Sequence, residues 1–244
     1  MFTRKLMTLQ RKVVTSSVSF DGNDEEMTYL QAAGDSRTFT ISMWVKLGEK
    51  VPMTLQIMRI GGIVNQFDSS IRLSNTVETP YLTYQAGAGT LIAVEPPPDY
   101  GVWSHLVFRY DTTQAVSTDR FRVYFDGVEQ VPLANSQPDL NDTTRYNVVN
   151  NTFVLGGHAS PHFYEGRMAE VNYVDGQSLG PEEFGQTFLG SWVPKTPLVD
   201  YGVNGFRLRF LDPNNLGVDT SGNENHLTVT NMDPSNWSST DIPG

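Results

Sequence analysis

The chain has 244 residues, 39 % of them hydrophobic, with 21 glycines, 14 prolines, no cysteine and a formal net charge of −10. That length suits one large β-sandwich or two small domains. The acidic balance disfavours a nucleic-acid partner, whose phosphates are held chiefly by Lys and Arg, and the absence of cysteine excludes disulfides and thiolate metal sites.

The first residues are the one cationic stretch. Met1–Val14 carries Arg4, Lys5, Arg11 and Lys12 but no apolar core of a secretory signal. Residues 1–16 read as a basic arm, either an unstructured start or strand, or an anchor that docks on an acidic partner surface. Nowhere does an apolar run approach the roughly 18 residues of a membrane-spanning helix, so no membrane partner is expected.

Period-two alternation then dominates, the signature of half-buried strands. SVSFDGN (Ser17–Asn23) joins a strand to an Asp-Gly turn, and Met27–Leu30 is a short strand. In Thr38–Lys46, Phe39, Ile41, Met43 and Val45 share a core face, while Thr40, Ser42, Trp44 and Lys46 oppose them. Met53–Val64, Ile71–Leu73, Tyr81–Tyr84 and Leu91–Val94 are further strands, and Pro96–Pro98 breaks any ladder because proline has no N–H to give.

The strongest stretch is Trp103–Gly127. Leu106, Phe108 and Tyr110 face one way on its first strand, and Phe121, Val123 and Phe125 on its second. A polar loop separates the two, and Asp126-Gly127 supplies a tight turn beyond. Asn135–Tyr146 reads as loop, Thr152–Gly157 and Phe163–Val174 as strands. Leu179–Phe184 starts a short helix, with Pro181 at the first helical position and acidic residues in the first turn. From Ser191 the texture changes: Pro194 and Pro197 suggest a linker, Gly205–Leu211 a strand, Asp219–Asn225 a turn-rich loop and Leu227–Thr230 a last strand. Strands with almost no helix indicate an all-β sandwich.

Six pieces carry a resemblance: SFDGN, FTISMWVK, WSHLVFRY, VYFDG, LGG and FYEGRMAEVNYVDGQSLGPEEF, in order over residues 18–190. Together they resemble the laminin-G-like branch of the concanavalin A-like lectin/glucanase superfamily. The resemblance implies a jelly-roll sandwich of two antiparallel sheets with one short helix, formed by residues 17–190. Tyr201–Val229 is similar to a pattern found in structural proteins of tailed bacteriophages, which makes residues 191–244 an extension expected to pack back on the same sandwich.

Enzymes of the superfamily use alternating acidic residues on one strand, and retaining hydrolysis needs two carboxyl groups about 5–5.5 Å apart. Glu170 has Asn172 and Val174 where acidic partners would stand, so the chain is expected not to be an enzyme. His158 and His162 are separated by Pro161 and do not make a helical zinc pair. No cofactor is expected beyond a possible structural calcium ion, for which Asp219 and Asn223, with Asp21 brought near by the tail, are the oxygen-bearing candidates. Plain turn chemistry is the competing account. Trp44, Trp192, Tyr124 and Arg122 are candidate ligand-binding residues, although a Trp44 covered by a loop fits its strand equally well. Together with His105 and Arg109, Arg122 and Tyr124 make the non-core face of the central hairpin a patch for a ligand or a neighbouring subunit.

The expected function is that of a non-enzymatic virion protein assembled in the host cytoplasm: an exposed capsid decoration or head-fibre-type protein. The alternative is a tail-associated adhesin that binds host surface glycan. Its partners would be other capsid or tail proteins, in a homo-oligomer.

Overall fold

A computed structural model describes residues 14–48, 54–60, 69–75, 80–86, 90–132, 134–135, 137–157 and 163–244. The strands are β1 (Ser17–Asp21), β2 (Glu26–Leu30), β3 (Thr38–Leu47), β4 (Thr54–Ile60), β5 (Ser70–Asn75), β6 (Pro80–Ala86), β7 (Thr90–Val94), β8 (Trp103–Asp111) and β9 (Phe121–Phe125). They continue with β10 (Val128–Glu129), β11 (Ala134–Asn135), β12 (Thr152–Leu155), β13 (Glu165–Asp175), β14 (Gly185–Phe188), β15 (Ser191–Pro194), β16 (Phe206–Leu208), β17 (Thr228–Thr230) and β18 (Trp237–Ser238).

Two antiparallel sheets face each other. Sheet A runs β10-β9-β8-β3-β13-β1-β18, with β16 also on β13; sheet B runs β11-β7-β6-β5-β4-β12-β2-β17. One apolar core fills the space between them. Phe39, Ile41, Met43, Val45, Leu106, Phe108, Tyr110, Phe121 and Val123 enter it from sheet A, and Met58, Ile60, Ile71, Leu73, Leu82, Tyr84, Phe153 and Leu155 from sheet B. The central hairpin therefore holds the face assigned to it by alternation. Asp126 and Gly127, at φ 47° and 81°, make the two-residue turn between β9 and β10, a conformation that Asp-Gly adopts readily.

β13 departs from strict alternation. Its pairing with β3 passes from Ala169↔Trp44 to Asn172↔Ser42, three steps against two. This is a β-bulge, and Glu170 sits in it at φ 46°. The extra residue shifts the phase, so Met168, Val171 and Tyr173 all reach the core.

The residues after 190 are built into both sheets. β16 lies along Val171–Tyr173 of β13, beyond the stretch Glu165–Met168 that β1 occupies; β17 pairs β2, and β18 pairs β1. The expected helix is a three-residue 3-10 turn, Pro181–Glu183. The expected linker beginning at Ser191 is instead the second arm of the β14–β15 hairpin, turned at Leu189–Gly190 (φ 49° and 85°). Pro194 ends that arm opposite Gly185, at a position whose N–H the ladder does not use: the next bond runs from Lys195 N to Phe184 O.

Candidate functional site

The hairpin β14–β15 lies across the outer face of sheet A, the surface on which sequence reasoning placed a ligand. Trp44 is only 3 % exposed, packed with Val14 and Ala169 beneath Trp103, Trp192 and Ile242. Tyr124 is buried with Val107, Val174, Phe184 and Tyr201. Arg122 is held by Asp119 and by Glu129, the latter at 2.9 Å. Trp192 reaches down to the sheet, its ring so close to the turn that a Cβ on Gly127 would meet it at 2.8 Å. In place of a ligand, the chain covers this face itself, and the proposed stacking of a sugar on Trp44 has no room.

His105 lies at the centre of the cover. Its ring stacks on Trp44 (centroids 4.9 Å apart) and on Trp192 (6.1 Å). Trp192 Nε1–H donates to His105 Nδ1 at 3.0 Å. An indole nitrogen can only donate, so Nδ1 carries the lone pair and the proton sits on Nε2, 2.9 Å from Ser42 Oγ. Burial pushes the imidazole down to about 3, which keeps it neutral. The Ser42–His105 pair has the spacing of a nucleophile and its base, but the proton is on the wrong nitrogen for the imidazole to accept one from serine. Both residues are also sealed from solvent.

Glu170 is likewise committed. Its Oε2 accepts from Arg207 Nε at 2.9 Å and Nη2 at 2.7 Å, and its Oε1 lies 3.4 Å from Arg209 Nε. The Glu25 carboxyl is pushed up to about 7 by desolvation and by the neighbouring Asp21 carboxylate. It accepts from Asp21 N at 2.6 Å and from Asn236 Nδ2 at 3.1 Å, tying the β1–β2 turn to the 3-10 turn Pro234–Asn236.

The calcium candidates do not converge. Asp219 Oδ1 accepts from the backbone N–H of Arg207 and Ser221, both at 2.8 Å; Oδ2 accepts from Ser221 Oγ at 2.8 Å and Asn225 N at 3.0 Å. Four donors on one carboxylate leave it organised as a turn. Asn223 Nδ2 points donors, not oxygen, at the carbonyls of Gly202 and Gly205. Asp21 pairs with Asn23, at 2.8 Å. No group of three or more His, Asp or Glu side chains that could hold a metal occurs among the described residues. Arg4, Lys5, Arg11 and Lys12 lie outside the described residues, as do His158 and His162.

An open cleft of about 430 Å³ remains at one end of sheet A, lined by Lys46, Tyr100, Glu165, Arg167 and Asp241, with Gly48, Gly101 and Gly166 in its walls. Tyr100 and Glu165 are half-exposed. Lys46 pairs with Trp103 on β8 and with Arg167 on β13, so the three form one cross-strand row. Cation, carboxylate and aromatic ring thus meet on a floor set by strands. Sequence reasoning missed this site: its residues come from four distant segments, and none sits in a recognisable motif. On sheet B, Gln56, Arg72, Thr83 and Ala93 form another cross-strand row on the outer face.

Comparison with known proteins places the fold. The Laminin_G_3 model, of the concanavalin A-like lectin/glucanases superfamily, matches residues 21–183. No curated protein matches the sequence. A putative carbohydrate binding protein from Bacteroides ovatus aligns with 94 % of this chain and 61 % of its own, at 15 % identity and a TM-score of 0.62. The heptameric SAP-like pentraxin from Limulus polyphemus aligns with 68 % of this chain and 77 % of its own, at 16 % identity and a TM-score of 0.52. Tailspike protein 2 of bacteriophage CAB120 aligns with 68 % of this chain and 23 % of its own, at 12 % identity; its TM-score of 0.47 is too low to argue from. At such identities the likeness is one of fold alone. With two facing antiparallel sheets and a family match over about two thirds of its length, the chain belongs to the Laminin_G_3 family of the concanavalin A-like lectin/glucanase superfamily.

Proposed function

We propose that this chain is a non-catalytic carbohydrate-recognition module that binds glycan in the cleft at the end of sheet A. The observation that carries the reading is the cleft itself: a half-exposed Tyr100, bridged to Leu47, and the carboxylate of Glu165 beside Lys46 and Arg167, the last three on the paired strands β3 and β13. A small number of fixed polar groups beside an apolar ring is what orients a polyhydroxylated ligand. The lectin-type fold, and the putative carbohydrate binding of the Bacteroides relative over 94 % of this chain, agree with it. The non-catalytic part of the reading is supported by His105 and Glu170, each already bound to partners that cancel acid or base chemistry.

The setting we propose is the surface of a virion, as a capsid decoration or head-fibre-type protein or a tail adhesin, in a symmetric oligomer. Its support is the phage-like stretch Tyr201–Val229, which supplies β16, the Asp219 loop and β17 to this sandwich. A glycan array is the direct test of recognition. Saturable binding should be lost in Tyr100→Ala and Glu165→Ala with the melting temperature retained; no binding to any glycan would overturn the reading. Electron micrographs of labelled particles test the setting, which fails if no particle carries the protein.

A further inference from the structure

The cleft contains a built seat for a carboxylate, and this chain fills it itself. Lys46 Nζ lies 3.0 Å from each oxygen of Asp241, Trp103 Nε1–H donates to Oδ1 at 3.0 Å, and Arg167 Nε stands 3.7 Å from Oδ2. The donors and the acceptor differ in how they are held. Trp103, Lys46 and Arg167 project from directly paired positions of β8, β3 and β13, and adjacent strands fix them about 4.8 Å apart. The backbone register of this row does not depend on Asp241, and Arg167 is held besides by Ser17 Oγ, to which its Nε donates at 3.0 Å. Asp241 belongs to no strand. The segment around it is fixed by Ser17 Oγ donating to the Asp241 carbonyl at 2.6 Å, by Ser238 Oγ accepting from Thr240 N and Asp241 N, and by Ile242 lying on the Trp44 cluster.

The seat is also reachable. The side chains of Lys46, Arg167 and Asp241 are 29 %, 20 % and 37 % exposed, and the seat opens into the space beside Tyr100 and Glu165. A rigid row of two cations and an indole N–H matches a planar anion. Asp241 presents the same group that a uronic or nonulosonic acid presents on its ring. We infer that the Trp103–Lys46–Arg167 row is the subsite for the carboxylate of an acidic sugar, and that Asp241 occupies it in cis, so that the ligand must displace residues 240–244 to bind fully. The inference rests on the recognition reading above and narrows it to acidic glycans.

Asp241→Asn, and a chain ending at Ser239, are each compared with the parent protein by calorimetric titration with oligogalacturonate and with maltotetraose. Either change should tighten oligogalacturonate binding about tenfold, and adding Lys46→Gln to Asp241→Asn should abolish the gain. The affinity for oligogalacturonate relative to maltotetraose should rise by the same factor. If maltotetraose binds all three proteins and oligogalacturonate binds them equally or not at all, Asp241 is a structural pin and the subsite is refuted, while recognition stands. If neither sugar binds any of them and the array is blank, recognition falls as well. Because an altered tail could destabilise the fold, the parent protein supplies a second measurement. Saturating galacturonate should speed hydrogen exchange at the amides of Thr240 and Asp241, and sodium chloride at equal ionic strength should not; unchanged exchange overturns displacement.

Discussion

Replacing Glu170 by Gln tests whether this glutamate is structural. The change keeps the shape and the bulge, including the φ of 46°, but removes the charge that neutralises Arg207. The side chains of Glu170 and Arg207 are 5 % and 9 % exposed, so water cannot replace the lost partner. Breaking such a pair from one side costs about 3–5 kcal/mol, because a charge stays buried without its counter-ion. Gln can still accept one guanidinium hydrogen bond, which sets the expected cost near 3 kcal/mol. At roughly 2–4 °C per kcal/mol for a chain of this size, the melting temperature should fall by about 6–12 °C. Arg207→Met alone should destabilise similarly by stranding the carboxylate, with only Arg209, 30 % exposed, beside it. The double variant should recover most of the loss, since no buried charge is then left in the pair. The backbone bonds of Arg207, to Asp219 Oδ1 and from Thr220 N, survive all three changes. Urea unfolding followed by tryptophan fluorescence gives the double-mutant cycle. Single-variant costs under about 1 kcal/mol, or costs that simply add in the double variant, would refute the argument.

Trp192→Phe keeps the stacked ring but strands the buried Nδ1 of His105, and should cost about 1–3 kcal/mol in the same assay. Trp44→Ala should cost about 3–5 kcal/mol as a core cavity and leave the glycan profile of the surviving folded protein unchanged; selective loss of glycan binding would put a ligand back on this face. The pH dependence has two opposing parts. Glu25 is raised, so its contribution is complete below the unfolded value of 4.5 and is lost as pH rises through about 7. His105 is depressed, so its contribution is present above 6.5 and is lost as pH falls towards about 3, by about 1.4 kcal/mol per unit in the steepest region. Glu25→Gln should therefore remove the gain on acidification from pH 7 and leave the histidine loss exposed; an unchanged pH profile of stability would contradict this. Chelator should leave the melting temperature unchanged, because the Asp219 carboxylate is already saturated by hydrogen-bond donors; a drop would reveal a bound cation.

The core was legible because its physics is local. Phe39–Val45, Leu106–Tyr110 and Phe121–Val123 alternate without interruption, and each residue landed on the face its parity gave it. Parity also placed Trp44 and His105 on the other face. It could not show that the other face is buried, because the covering hairpin comes from residues 185–194, where Pro194 imitates a linker. At Glu170 parity failed for a physical reason: a bulge inserts one residue, and nothing in the sequence marks which residue takes the positive φ. The two-residue strand β18 is too short to carry any pattern. The cleft was invisible for another reason. Lys46, Glu165 and Arg167 become neighbours through the pairing of β3 and β13, Tyr100 through its bridge to Leu47, and Asp241 through the bonds of its segment to Ser17 and Ser238.

Covering one face of the sandwich has a consequence for where recognition can occur. On sheet A the outer side chains of Trp44, Val107, Tyr124 and Val174 are covered by Phe184, Trp192 and Tyr201. A ligand on that face would have to lift the β14–β15 hairpin and break the Trp192–His105 bond, leaving Nδ1 unpaired in a dry site. At the end of the sheet a ligand faces a smaller barrier. There the displaced group is one half-exposed aspartate whose segment is held by Ser17 and Ile242, and the incoming carboxylate remakes the bonds that the Asp241 side chain gives up. The same row of donors can therefore serve as a fastening when the cleft is empty and as a receptor when an acidic sugar arrives, because the two occupants present the same chemical group.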